Sequence, residues 1–192
     1  MLQTLKKNWW LLALCSGLYA LISIQFFSVM GYSGPLTVRF RGDAIAWLGR
    51  FILAAAACSA GAGLWRAGHG KGWLLVLNGL ALAALGVIDL YFIRTRVSFR
   101  TIALLIVVMA ASTSALEVLL AQALRIRRRL MDGWLLTLAG ALTGGFAMLF
   151  LALAFRWIRI LPGSQTDLLW IGCYFACSSL CILTLAFRLH AR

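Results

Sequence analysis

The chain has 192 residues, of which 63% are hydrophobic and 12% charged, with a mean hydropathy of +0.95 and a formal net charge of +13. Soluble domains are about half apolar and about a quarter charged, so this composition excludes a water-soluble fold and predicts an all-α membrane protein. The basic residues are spread over loops and tails instead of gathered on one soluble face, which argues against nucleic acid as a partner and for the lipid bilayer.

A helix of about 20 apolar residues crosses the hydrocarbon layer and satisfies its own backbone hydrogen bonds. Six such runs predict six transmembrane helices, at residues 9–30, 44–65, 73–93, 101–124, 134–155 and 168–187, within one membrane domain covering 1–192. The first follows Lys6 and Lys7 but is longer than the apolar core of a secretory signal and lacks a small-residue cleavage site, so it reads as an uncleaved span. The turn after it, "GYSGPLTVRFRGD" at 31–43, contains a "GYSG" that resembles the serine motif of intramembrane rhomboid proteases. A serine nucleophile needs a base, and only His69 and His190 exist, both in predicted turns or tails on the other side. Ser33 beside Pro35 therefore reads as part of a turn.

The second span carries Arg50, six residues from its start and about 9 Å below the boundary. The third carries Asn78 and, about 6 Å from the same boundary as Arg50, Asp89. Those two polar residues are eleven positions apart, close to three turns, and share one helix face. The fourth span carries Glu117 on a stripe with Ala110, Thr113, Ser114 and Ala121, a face suited to other helices. After it, "RIRRR" at 125–129 places Arg125, Arg127, Arg128 and Arg129 where they would fix topology and contact anionic lipid headgroups. The sixth span has Cys173, Cys177 and Cys181 on one face. With no His in any span and no standard zinc spacing, they read as packing residues, and no metal or cofactor is predicted.

Tryptophans mark the boundaries: Trp9, Trp10, Trp65, Trp73 and Trp134 fall at one set of span ends, and Trp47, Trp157 and Trp170 near the other. With the N-terminus inside, Lys6, Lys7, Arg66, Lys71, the arginines of "RIRRR", Arg188 and Arg192 outnumber the basic residues of the outer loops, so both termini are expected in the cytoplasm.

Odd-numbered spans open on a repeated phrase: "NWWLLALCSG" at 8–17, "KGWLLVLNG" at 71–79 and "DGWLLTLAG" at 132–140. The Trp sets helix depth, while Gly17, Gly79 and Gly140 lie about two turns deeper and let a neighbour approach. Gly144 continues that seam in the fifth span. Asp43, Ser98 and Asp167 precede the even spans as candidate caps. The expected architecture is three tandem two-helix hairpin repeats, all running the same way and therefore not inverted repeats. The small-residue seams also suit a homo-oligomer.

The Trp-Leu-Leu openings, the following glycines, the three-hairpin plan and the turn "LPGSQTDLLWIG" at 161–172 together resemble the HdeD-like family of bacterial inner-membrane proteins. The resemblance implies a six-span protein of the bacterial inner membrane, in a family whose named member is linked to acid resistance, and it supplies no catalytic residues. No enzyme activity is expected. Ionisable groups inside spans cost about 2.5–3.5 kcal/mol at mid-bilayer and call for a partner or a purpose. Two readings of Arg50, Asn78, Asp89 and Glu117 stand side by side. They are either interhelical clamps, the common use of buried polar groups in helical bundles, or a polar track for a proton, ion or solute, with Glu117 as the binding group and Arg50 with Asp89 as the outer gate.

Overall fold

The structure is a computed structural model that describes residues 6–30, 42–65, 72–92, 98–126, 130–155, 157 and 165–190. Six helices follow in order: α1 (Trp9–Met30), α2 (Gly42–Leu64), α3 (Trp73–Val87, continued by a π-helical turn over Ile88–Phe92), α4 (Phe99–Ile126), α5 (Leu130–Ala154) and α6 (Gln165–His190). All six contain stretches long and apolar enough to cross a membrane, and no strand occurs among the described residues. The outer surface fits lipid: Leu80, Leu138, Met148 and Leu180 each leave more than 60% of their area exposed, which water would penalise and acyl chains do not. This is an all-α, multi-pass membrane protein.

Hydropathy locates the part of each helix that lies in hydrocarbon, and the helices run further. α6 starts at Gln165, three residues before the predicted span, so Asp167 sits inside the first turn and is buried instead of standing ahead of the helix as a cap. Asp43 likewise falls inside α2, although its side chain lies outside the described set. Ser98 does cap α4: its Oγ accepts from the Thr101 N–H at 3.3 Å and faces Thr101 Oγ1 at 3.0 Å. "GYSG" with Ser33, His69, and Arg127, Arg128 and Arg129 lie outside the described residues, as does the side chain of Arg125.

The helices form a ring in chain order, each touching the next, and α1 closes it against α6. Contact around the ring is uneven. The most extensive pairs are α4 with α5, α1 with α6, and α2 with α3, whereas α5 meets α6 sparsely. The tight pairs thus join each odd helix to the even helix before it, counted round the ring, and straddle the predicted hairpins. The chemistry of the seams explains this. Gly72, at the N-cap of α3, and Gly79 and Gly86 within the helix recur every seven residues along the face turned to α2. A Cβ on Gly79 would lie 2.8 Å from the Ala56 carbonyl oxygen and 2.9 Å from the Ala60 nitrogen, so the two backbones are in contact. The N–H of Gly72 also donates to the Gly63 carbonyl at 3.0 Å, tying the start of α3 to the end of α2.

Between α4 and α5, Gly140 admits Val118 and Glu117, and Ser114 Oγ donates to the Gly140 carbonyl at 2.7 Å. Serines replace glycines between α1 and α6. Ser16 Oγ donates to the Ser179 carbonyl at 3.0 Å, Ser179 Oγ donates back to the Ser16 carbonyl at 2.9 Å, and one heptad along Ser23 Oγ donates to the Gly172 carbonyl at 2.9 Å.

Asn8, the first letter of the first repeat, is fully buried and joins two helix ends. Its carbonyl accepts from the Leu11 N–H at 3.0 Å at the start of α1, while its Nδ2 donates to the Ala62 carbonyl at 3.2 Å and to the Trp65 carbonyl at the end of α2. Asn8→Ala frees those carbonyls in a buried place and is expected to cost about 1–2 kcal/mol, read from reversible unfolding in mixed micelles.

Candidate functional site

The four polar residues singled out in the spans fall in three separate places. Arg50 is exposed, with its guanidinium over the Trp47 ring at 5.0 Å, an aromatic neighbour one turn back on the same helix. It does not meet Asp89. The matched depths of the two residues are real, but the azimuths differ: Gly49, not Arg50, faces the π turn, and a Cβ there would lie 3.2 Å from Asp89 Oδ2 and 2.6 Å from Leu90 Cγ. Asp89 Oδ2 is shielded and has no hydrogen-bond partner. The outer gate expected from Arg50 and Asp89 is therefore not assembled.

Asn78 and Glu117 are not joined either. Asn78, 1% exposed, donates from Nδ2 to Tyr19 Oη at 3.1 Å and to Ser59 Oγ at 3.0 Å, and Ser59 Oγ in turn donates to the Leu75 carbonyl at 2.9 Å. This cluster clamps α1, α2 and α3 together. Asn78 Oδ1 is buried without a partner.

Glu117, 2% exposed, meets α5. Thr143 Oγ1 donates to Glu117 Oε2 at 3.0 Å, and the same oxygen lies 3.1 Å from the Ala139 carbonyl and 3.2 Å from the Gly140 carbonyl. A threonine hydroxyl has one proton and three acceptors here, so it has two settings. With Glu117 ionised, Thr143 donates to the carboxylate. With Glu117 protonated, the carboxyl donates to Thr143 Oγ1, and the hydroxyl proton turns to a backbone carbonyl of its own helix.

On α6, Tyr174 and Ser178 are one turn apart and buried, and the Tyr174 hydroxyl interacts with Ser178 and with Thr113 of α4 at a geometry looser than an ordinary hydrogen bond. Tyr174 lies within electrostatic range of Glu117, as does Cys181. Phe146 and Phe150 of α5 meet the Tyr174 ring edge-on at 5.8 and 6.2 Å, and Phe175 at 5.2 Å leads from it to Tyr19, also 5.2 Å away. The buried polar groups thus form two hydrogen-bonded clusters, Ser59 (α2), Asn78 (α3) and Tyr19 (α1) in one and Glu117 (α4) with Thr143 (α5) in the other, with Tyr174 of α6 in electrostatic range of both Tyr19 and Glu117.

The glycines behave unequally. Gly79, Gly140 and Gly144 lie against neighbouring helices, with Ser114 Oγ 3.0 Å from a Cβ placed on Gly144. Gly17 is exposed, and a Cβ there meets nothing within 4 Å, because Ser16 beside it carries the contact with α6. Among the described residues no group of three or more His, Cys, Asp or Glu is placed to hold a metal. Tyr19, Thr143, Tyr174 and Ser178 carried no signal in the sequence beyond being hydroxyls inside apolar runs. Compared with protein-family models, curated proteins and solved structures, the chain matches none.

Proposed function

We propose that this is a non-enzymatic, HdeD-like protein of the bacterial inner membrane that acts in acid or envelope stress, with Glu117 as its proton-responsive group. The observation that carries the reading is the Glu117–Thr143 contact. A carboxyl almost wholly withdrawn from the surface has a hydroxyl partner able to serve both its protonated and its ionised form. Protonation then changes the hydrogen bonding that links α4 to α5, next to the loosest seam of the ring, and gives acid a way to act on packing. In this reading both termini lie in the cytoplasm, in keeping with the positive-inside bias, and Arg125, Arg127, Arg128 and Arg129 meet anionic headgroups. A homo-oligomer would use the open faces at Gly17 and Gly145, since Gly79, Gly140 and Gly144 are occupied within the chain.

The test is survival of acid shock at high cell density. Deleting the gene is expected to lower survival, the intact gene to restore it, and Glu117→Gln to be inserted normally yet fail to restore it. A deletion strain indifferent to acid overturns the stress role. A second reading, a small proton or ion channel or transporter, is favoured by Asn78 Oδ1 and Asp89 Oδ2, shielded polar atoms within spans that have no hydrogen-bond partner. Flux into vesicles carrying a pH-sensitive dye, lost in Glu117→Gln, would support it, and no flux under any gradient would remove it.

A further inference from the structure

We propose that Arg50 and Asp89 form a side-chain switch where α2 begins and α3 ends: Arg50 rests on Trp47 while Asp89 is protonated, and swings onto the carboxylate once Asp89 ionises, tying α2 to the π turn. The inference stands apart from the role given to Glu117.

The two groups are within reach of each other with the backbone as it stands. A Cβ on Gly49 would lie 3.2 Å from Asp89 Oδ2. Arg50 is the next residue, and consecutive Cα atoms are about 3.8 Å apart, so the Arg50 Cα lies within about 9 Å of that oxygen. An extended arginine reaches about 7 Å from Cα to its terminal nitrogens, and a hydrogen bond spans about 3 Å more. Gly49 itself puts no side chain in the way.

Each arrangement has its own condition. Asp89 Oδ2 is shielded and has no hydrogen-bond partner, which a neutral carboxyl tolerates far better than a carboxylate does. Arg50 lies exposed over Trp47, at 5.0 Å, and that ring is itself 52% exposed, so the cation–π contact is of the weaker kind. Attraction between unit charges strengthens as the dielectric falls, so an ionised Asp89 inside a span draws the guanidinium more strongly than the ring does. Guanidinium groups stay charged at any working pH, which leaves the carboxyl as the trigger. The observed arrangement, cation on the ring and carboxyl alone, is the one expected of neutral Asp89.

The π turn that carries Asp89 packs on α2 and α3. On α2 the charged residues are Arg50 and Asp43, whose side chain lies outside the described set, as does that of Tyr91 within the turn; Cys58 is about 13 Å further along α2. Trp73–Val87 of α3 contains no titratable residue. Since the pair exists only while the carboxyl is ionised, its contribution to stability is present at higher pH and lost as pH falls.

The experiment is a double-mutant cycle in melting temperature, on the full chain in detergent, comparing the wild type, Arg50→Gln, Asp89→Asn and the double variant at mildly alkaline and mildly acidic pH. At alkaline pH the double variant is expected to depart from the sum of the single losses by about 2–4 °C or more, because Arg50→Gln leaves an ionised carboxyl without its counter-charge. At acidic pH the losses are expected to add. Arg50→Lys and Asp89→Glu, which keep both charges, are expected to retain the acid-sensitive part of the melting temperature that the cycle assigns to the pair. Additive losses at both pH values overturn the switch, as does a coupling that acid leaves unchanged, or loss of acid sensitivity in both conservative variants. Glu117 titrates in all four members and cancels from the cycle, so failure here leaves the acid reading of Glu117 standing, and an acid-indifferent deletion strain leaves the switch standing.

Discussion

Gly79→Leu is expected to destabilise the protein by about 3 kcal/mol, enough to separate α2 from α3 in part of the population, because the added side chain has no space to enter. Even the first carbon would stand 2.8 Å from the Ala56 carbonyl oxygen and 2.9 Å from the Ala60 nitrogen, and both are backbone atoms that a rotamer change does not move. Gly79→Ala already forces that approach and is expected to cost about 1–2 kcal/mol. Gly17→Ala, at the matching position of the first repeat, is expected to stay within about 0.5 kcal/mol of the wild type, since it meets open space. Reversible unfolding by sodium dodecyl sulfate in lipid bicelles measures all three. Similar losses at Gly79 and Gly17 would contradict the seam described for α2 and α3.

Tyr174→Ala is expected to cost about 3 kcal/mol in the same assay, while Tyr174→Phe stays within about 1 kcal/mol. The ring is fully buried among Phe146, Phe150 and Phe175, and it is a principal contact across the sparse α5–α6 seam. Removing it leaves a cavity at the joint with the fewest other contacts. The penalty is a packing loss, because lipid offers no hydrophobic return for burying the ring again. The hydroxyl makes only loose contacts with Ser178 and Thr113, so Tyr174→Phe should leave the fold standing.

The sequence marked depth well and direction poorly. A fixed rise per residue placed Arg50 and Asp89 at one level, and the helices at Gly42–Leu64 and Trp73–Val87 agree with the spans read from hydropathy. Azimuth depends on how helices face one another, and one position along α2 exchanges Arg50 for Gly49 as the residue that meets Asp89. The π turn at Ile88–Phe92 moves the Asp89 face again, and nothing in an apolar run announces an extra residue per turn. The Trp-Leu-Leu phrase opens every odd helix, yet the glycine that follows it packs in α3 and α5 and meets open space in α1. The phrase did not say whether an odd helix packs on the helix before it or the helix after it, and the tight pairs straddle the predicted hairpins. Glu117 was legible because a carboxyl is conspicuous in a bilayer. Its companions Thr143, Tyr174 and Ser178 were not, since hydroxyls in apolar helices usually bond to their own backbone, as Thr113 does with the Met109 carbonyl at 2.9 Å.

The serine latch between Ser16 and Ser179 sets a timetable for biosynthesis. Its halves are 163 residues apart, so at ribosomal speeds of about 5–20 residues per second the first helix waits on the order of ten to thirty seconds for its mate. During that delay Ser16 and Ser23 confront acyl chains or the translocon instead of the carbonyls they finally engage. A nascent chain halted before its sixth helix would therefore remain an open crescent with a polar inner rim, the form that membrane quality control is equipped to find.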